Sequence, residues 1–282
     1  MYKYILSVIK ISRYRFWSYT AGTYFLGYLL GAQNFQTIIN PQFILSFFYF
    51  LIPANIFLYG INDYFDEDTD KFNSKKYTHE HKLSKNNRKK LLTLLIFCFL
   101  ISCIFLLLTS PVSVQFILLF FIFLSTFYSA PPLRFKSKPF FDSASNVLYI
   151  LPGIIGYIQT PGNNPDLKLI LGFWFWAAAM HLFSAIPDIS ADTKAGLKTS
   201  AVVLGSRLSL LTCSALWALF LYFILPVLPL SLAQIFMIYP LIPLILFLNP
   251  TISISKVYWL YPYINNLAGL LTFLALAKAR FS

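Results

Sequence analysis

From Pro41 to Ile61 the chain reads PQFILSFFYFLIPANIFLYGI, without a single charge. Apolar runs of about 18 residues or more survive in lipid only as helices, which satisfy their own backbone N–H and C=O groups where water cannot. Nine such runs are present, at about 15–32, 41–61, 91–109, 112–130, 144–160, 168–187, 208–225, 232–248 and 257–277. The joins TSPVS and NPTISIS are short, and Pro152, Pro226, Pro240 and Pro243 blur boundaries, so eight or ten spans also fit. Only 11% of the 282 residues are charged, against about 25% in a soluble domain. The start, MYKYILSVIKISRYRFW, is short, basic and amphipathic, and lacks the apolar core and small-residue cleavage site of a secretory signal. The expected fold class is all-α: a polytopic membrane bundle of about nine transmembrane helices around a central cavity, in one domain spanning residues 1–282.

A net charge of +12 invites a nucleic-acid reading, but topology accounts for it. With the N-terminus in the cytoplasm, 19 of the 22 Lys and Arg fall on the inner side, and only Lys168, Lys278 and Arg280 fall outside. That is the positive-inside bias of an inner-membrane protein, and it needs membrane lipid and no nucleic acid. Cys98, Cys103 and Cys213 all lie in apolar runs and form no CxxC pair, so they read as small apolar residues.

In this topology nine of the ten acids lie inside, and seven of them gather in two clusters. GINDYFDEDTDKF leaves the second apolar run; IPDISADTKAGLKTS leaves the sixth. The clusters are about 120 residues and four spans apart, which suggests two pseudo-repeated halves of like orientation, about 1–130 and 131–282. Asn62, Asp66 and Asp70 are spaced by four, forming one stripe on a continuing helix; Asp188 and Asp192 do the same on another. Asn55 and Tyr59 extend the first stripe inward, and His181 and Ser184 precede the second. Polar groups at membrane depth face protein cavities rather than lipid.

Clustered carboxylates need cations. Mg2+ suits them, since it binds through one or two carboxylates and completes its shell with water and substrate phosphate. Asn62 offers a further neutral oxygen. Lys75 and Lys76 follow the first cluster, Lys194 and Lys198 the second, and YSAPPLRFKSKPFFD adds Arg134, Lys136 and Lys138. Carboxylate, metal, diphosphate and Lys/Arg make a consistent layering of charge.

These residues resemble the UbiA-type intramembrane prenyltransferases. The family's first motif, N-D-x-x-D-x-x-x-D, is matched by Asn62, Asp63, Asp66 and Asp70; its second, D-x-x-x-D followed by G-x-K-T, by Asp188, Asp192, Gly196, Lys198 and Thr199. The resemblance covers nearly the whole chain. It implies Mg2+ held by Asn62, Asp66, Asp70, Asp188 and Asp192, and substrate contacts from Asn55, Tyr59, Lys75, Tyr128, Arg134, Lys136 and Lys198. The four aspartates of these stripes are then the catalytic groups. A prenyl diphosphate donor ionises to an allylic cation that alkylates a lipophilic acceptor. Quinone-forming members usually carry Arg-Thr after the first motif, where this chain has Lys75-Lys76; in place of their Tyr-x-x-x-Lys it has YSAPPLRFK, beginning at Tyr128. In style the chain is most similar to lycopene elongases, which extend a linear carotenoid. An aromatic, quinone-precursor or chlorophyll-type acceptor is the alternative, with Arg13 and Arg15 the nearest cations for an aromatic acid.

Blander readings explain less. A solvated helix end accounts for one acidic stripe but not its repetition. Asp66-x-Asp68-x-Asp70 imitates a calcium loop, yet Lys71 and Tyr77 occupy the positions that need Gly and Glu. Asp63, Glu67 and Asp68 lie off the stripe and are either supporting or merely solvated. Positive-inside sorting alone explains most of the basic residues, and His79 with His81 reads as an accidental pair in a polar loop. An ion-coupled transporter would place its acids near the midplane on interrupted helices; here they lie at helix ends.

Overall fold

The computed structural model describes residues 2–34, 40–66, 88–160, 164–226 and 234–281. Glu67, Asp68, Asp70, Lys75, Lys76, His79 and His81 lie outside them. The helices, in chain order, are α1 (Tyr2–Ile11), α2 (Ala21–Gly31), α3 (Pro41–Leu51), α4 (Pro53–Phe65), α5 (Arg88–Leu108), α6 (Val112–Phe127), α7 (Phe141–Ala144), α8 (Leu151–Ile158), α9 (Leu167–Ala185), α10 (Ile189–Lys194), α11 (Ser200–Ile224), α12 (Ile238–Leu248), α13 (Ile254–Tyr258) and α14 (Tyr261–Phe281). No strand occurs among the described residues.

Among the described residues five stretches are long and apolar enough to cross a membrane: Pro41–Phe65, Arg88–Leu108, Leu167–Lys194, Ser200–Ile224 and Ile254–Lys278. The remaining apolar runs form shorter pieces. The run at 15–32 divides into a 3-10 turn, Tyr14–Tyr19, and the eleven-residue α2. The run at 144–160 divides into a 3-10 turn, Ser145–Tyr149, and α8. Composition dictates apolarity but not continuity, and proline shows why. Pro53 has no N–H to offer the preceding turn, so the run at 41–61 bends at Ile52 and resumes as α4 with Pro53 in its first turn. Asn40 starts α3, its side-chain oxygen accepting the Gln42 N–H at 2.8 Å.

The residues form two compact units, Met1–Phe135 with Leu151–Asn163, and Lys136–Ile150 with Asn164–Ser282. In the first, α2 and α8 pack backbone to backbone. A Cβ on Gly27 would strike the Gly153 carbonyl, and one on Gly156 the Tyr24 carbonyl. Lipid is as apolar as leucine, so membrane helices gain little from burying apolar surface and associate by such close approach. Tyr24 stacks on Phe50 at 5.4 Å, and its hydroxyl donates to Gln159 Oε1 at 2.8 Å. Tyr49 stacks on Phe105 at 4.1 Å and its hydroxyl donates to Ser102 Oγ at 2.9 Å. The second unit is centred on Phe183, Trp217, Tyr239 and Tyr261, with Trp217 stacked on Tyr261 at 5.4 Å. Phe97, Ile104 and Leu107 on α5 and Phe116 on α6 are exposed, as lipid-facing residues should be.

Cys98 and Cys213 are buried and Cys103 half-buried, all three as free thiols. They serve as small apolar residues, as their sequence positions suggest.

Candidate active site

In the first unit the acidic turn closes α4. The helix ends at Phe65, and Asp66 caps it, its N–H bonded to the Asn62 carbonyl at 3.0 Å. The helix expected to continue through Asp66 therefore stops there, at φ −101° and ψ 7°. A carboxylate at a helix C-terminus meets the negative end of the dipole and needs compensation. Asp66, 2% exposed, receives it from two residues of the segment after α6: the Ser129 hydroxyl donates to Oδ2 at 3.1 Å, and Arg134 Nη2 lies 3.9 Å from Oδ1. Asp63 is equally buried, and Arg13 Nη2 donates to its Oδ1 at 3.3 Å. The Arg13 guanidinium also lies 4.8 Å above the Tyr59 ring. Both arginines adopt positive φ, 48° at Arg13 and 41° at Arg134. For a residue with a side chain that conformation costs of order 1–3 kcal/mol and persists where the surroundings over-determine it, as at functional sites. Asn55 is wholly buried, its amide donating to Thr20 Oγ1 at 2.6 Å and to the Phe50 carbonyl at 2.7 Å. Tyr128 is half-buried at the end of α6.

In the second unit, Asp188 ends the 3-10 turn Ile186–Asp188 and Asp192 lies one turn on, in α10. Gly196 then reverses the chain. At φ 70° it donates to the Thr193 carbonyl at 3.1 Å while Leu197 N–H reaches back to the Asp192 carbonyl at 2.9 Å, the paired closure that favours glycine just past a helix end. The reversal returns Thr199 to the acidic turn. Its hydroxyl donates to Asp192 Oδ2 at 3.3 Å and accepts the Val202 N–H at 3.3 Å, capping α11. Lys194 and Lys198 are exposed beside it, and Lys136 is half-buried in the turn Phe135–Ser137. Ser184 donates to the His181 carbonyl at 2.7 Å. Each unit thus presents an acidic turn at a helix end, with basic residues nearby.

The model of the UbiA prenyltransferase family matches residues 20–276. The chain belongs to that family. Two lycopene elongase/hydratases are similar to this UbiA prenyltransferase over most of its length: that of Haloarcula japonica is 37% identical, covering 93% of this chain and 88% of its own, and that of Halobacterium salinarum is 36% identical, covering 96% and 95%. The resemblance read from the two motifs, including its lycopene-elongase flavour, is borne out. The structure is also similar to that of an Archaeoglobus fulgidus UbiA homolog bound to DMAPP and Mg2+, with a TM-score of 0.72, 19% identity and coverage of 96% of this chain and 99% of that one. At that identity the likeness speaks for the fold alone, an all-helical bundle.

The acidic turn of each unit carries the hard oxygen ligands that Mg2+ takes: the Asp66 carboxylate and the Asn62 amide in the first, the Asp188 and Asp192 carboxylates in the second. Among the described residues no three His, Cys, Asp or Glu gather into a metal cluster. Asp70 is beyond them, and the described aspartates of the two stripes are divided between the units. Two contributors escaped the sequence reading. Ser129 lay in view within YSAPPLRFK, but nothing marks a serine as an aspartate's partner before the chain is folded. Asp142, the last residue of YSAPPLRFKSKPFFD, is buried completely.

Proposed function

We propose that this UbiA-family prenyltransferase transfers a prenyl group from an allylic diphosphate to a linear carotenoid, lycopene being the model acceptor, in an Mg2+-dependent reaction. The observation that carries the acceptor is the 36–37% identity to lycopene elongase/hydratases across more than nine-tenths of the chain. In the reaction the allylic C–O bond breaks and diphosphate departs. The terminal double bond of the acceptor attacks the allylic carbon, and loss of a proton restores neutrality. Mg2+, when bound, supplies positive charge to the departing diphosphate. Asp66, Asp70, Asp188 and Asp192, with Asn62, hold it; both acidic turns serve this one ionisation, so the 282 residues act as a single prenyltransferase domain of two related halves. Arg134, Lys75, Lys136 and Lys198 neutralise diphosphate charge, and Asn55, Tyr59 and Tyr128 shape the substrate region.

The structure also weighs against an aromatic-acid acceptor. Such a substrate needs a fixed cation, and Arg13 is committed to Asp63 and to the Tyr59 ring while Arg15 is exposed. A carotenoid needs no such charge. Membranes containing the protein, given dimethylallyl diphosphate and Mg2+, should convert lycopene to products five and ten carbons longer, seen by mass spectrometry and abolished by excess chelator. Turnover of 4-hydroxybenzoate with none of lycopene would overturn the acceptor.

The protein lies in the cell's inner membrane with the N-terminus and both acidic turns on the cytoplasmic side. The distribution of Lys and Arg supports this. In a variant lacking the three native cysteines, Lys194→Cys should be shielded from a membrane-impermeant maleimide on intact cells. Leu167→Cys, at the exposed start of α9, should be labelled. The reverse pattern would invert the topology.

A further inference from the structure

Asp142 is a fully buried carboxylate that neither acidic turn contains. It lies in the first turn of α7, in the short segment following Lys138. Its partners are three donors. Oδ1 accepts the Ser143 N–H at 2.8 Å and the Ser200 hydroxyl, and Oδ2 accepts the Ser200 N–H at 2.7 Å. Ser200 Oγ in turn accepts the Phe140 N–H at 2.7 Å, so the direction of every bond is set. The three hydrogens of Ser143 N–H, Ser200 N–H and Ser200 Oγ–H all point at the carboxylate, so an acceptor-only group suits the position. The Asp142 carbonyl meanwhile accepts the Asn146 amide at 2.6 Å, and Ser145 Oγ at 3.3 Å, anchoring the segment from behind.

What this clamp holds is the return strand of the second acidic turn. Ser200 immediately follows Thr199, whose hydroxyl donates to Asp192 Oδ2. Thr199 is itself oriented, since its Oγ accepts the Val202 N–H. The path from Asp142 to Asp192 therefore has two hydrogen-bonded contacts and one peptide link. Beside that path the turn is closed by backbone bonds, Gly196 N–H to the Thr193 carbonyl and Leu197 N–H to the Asp192 carbonyl, neither of which touches the Asp192 carboxylate. Gly205, also at φ 70°, interrupts the helical geometry of α11 one turn later. The N-cap Thr199 and the first helical residue Ser200 thus lie on a short segment between Gly196 and Gly205. A buried charge is costly and is retained where its acceptor geometry is needed.

We propose that Asp142 is a positioning residue for the second acidic turn: by clamping Ser200 it orients Thr199, and through Thr199 the Asp192 carboxylate, toward a divalent ion. This rests on the Mg2+ reading above. Partners that orient a metal-binding carboxylate generally change metal affinity by about 10–100-fold when removed.

The test uses the full chain in nanodiscs, with Mn2+ as probe and dimethylallyl thiodiphosphate as a donor that does not ionise. Bound Mn2+ is read from loss of the free-ion EPR signal against a protein-free blank. Asp142→Asn and Thr199→Val should each weaken Mn2+ binding about tenfold or more. The double variant should be no weaker than the worse single one, since both cut one path. Ser209→Ala, which removes another buried hydroxyl of α11, should leave binding unchanged. If Thr199→Val binds Mn2+ normally and Asp142→Asn only lowers the melting temperature, the clamp is structural and the proposal falls. Normal affinity in Asp142→Asn also overturns it. Absence of Mn2+ binding in the wild-type chain would remove the Mg2+ reading together with this one, whereas normal wild-type binding with insensitive variants removes this one alone.

Discussion

Asp66→Ala and Asp188→Ala should each slow prenyl transfer by about a hundredfold or more, the usual cost of deleting a principal electrostatic contributor to a transition state. Asp66 lies at the C-terminal end of α4, where the helix dipole adds to its negative charge, and Arg134 is 3.9 Å away. Asp188 occupies the corresponding place in the second unit, at the end of a 3-10 turn. Neither carboxylate is needed to seal its helix, because the cap of α4 is a backbone bond from Asp66 N–H to the Asn62 carbonyl that alanine preserves. Both variants should therefore reach the membrane with native helix content by circular dichroism. If the two turns serve one ionisation, the double variant should lose far less than the product of the single losses, since parts of one unit are not additive. Initial rates with dimethylallyl diphosphate and lycopene decide the matter. Full activity in either single variant would refute the site, and a multiplicative double loss would separate the two turns.

The second large effect concerns stability. Arg13→Met should lower the stability of the detergent-solubilised protein by about 3 kcal/mol or more, the usual penalty for removing one member of a buried ion pair. Asp63 is 1% exposed and Arg13 13%, so water cannot replace the lost interaction. Methionine keeps much of the side-chain bulk over Tyr59 but neither the charge nor the hydrogen bond at 3.3 Å. The melting temperature should fall by roughly 6 °C or more. Adding Asp63→Asn should restore at least half of that loss, because a neutral amide costs less to bury than an uncompensated carboxylate. No recovery in the double variant would mean that Arg13 stabilises through packing alone. In that case the pair has no part in holding the end of α4.

Membrane residence and helical class were legible because lipid leaves a greasy chain few choices. Of the two acidic stripes, Asn62 with Asp66 and Asp188 with Asp192 were legible as residues about one helical turn apart, whereas the end of α4 at Asp66 was not. Gly196 is the instructive case: its place in G-x-K-T came by resemblance, and the fold supplies the reason, a helix closure that needs positive φ. The state of Asp63 was not legible. Its neighbours in sequence are the same whether it is solvated or buried, and chain order does not show the approach of Arg13, fifty residues earlier. The breaks within the apolar runs are similar. Hydrophobicity says that a segment avoids water, whereas the bend before Pro53 and the turn at Ser145–Tyr149 depend on which backbone groups the neighbouring helices satisfy. Ser129 and Asp142 show the same limit. A lone serine or aspartate carries no periodic signature, so its meaning comes from the partner across space: Asp66 for the one, Ser200 for the other. Sequence determines the solvent and the local spacing of the chemistry; tertiary structure determines which charges are compensated, because compensation is a property of pairs that the chain order does not record.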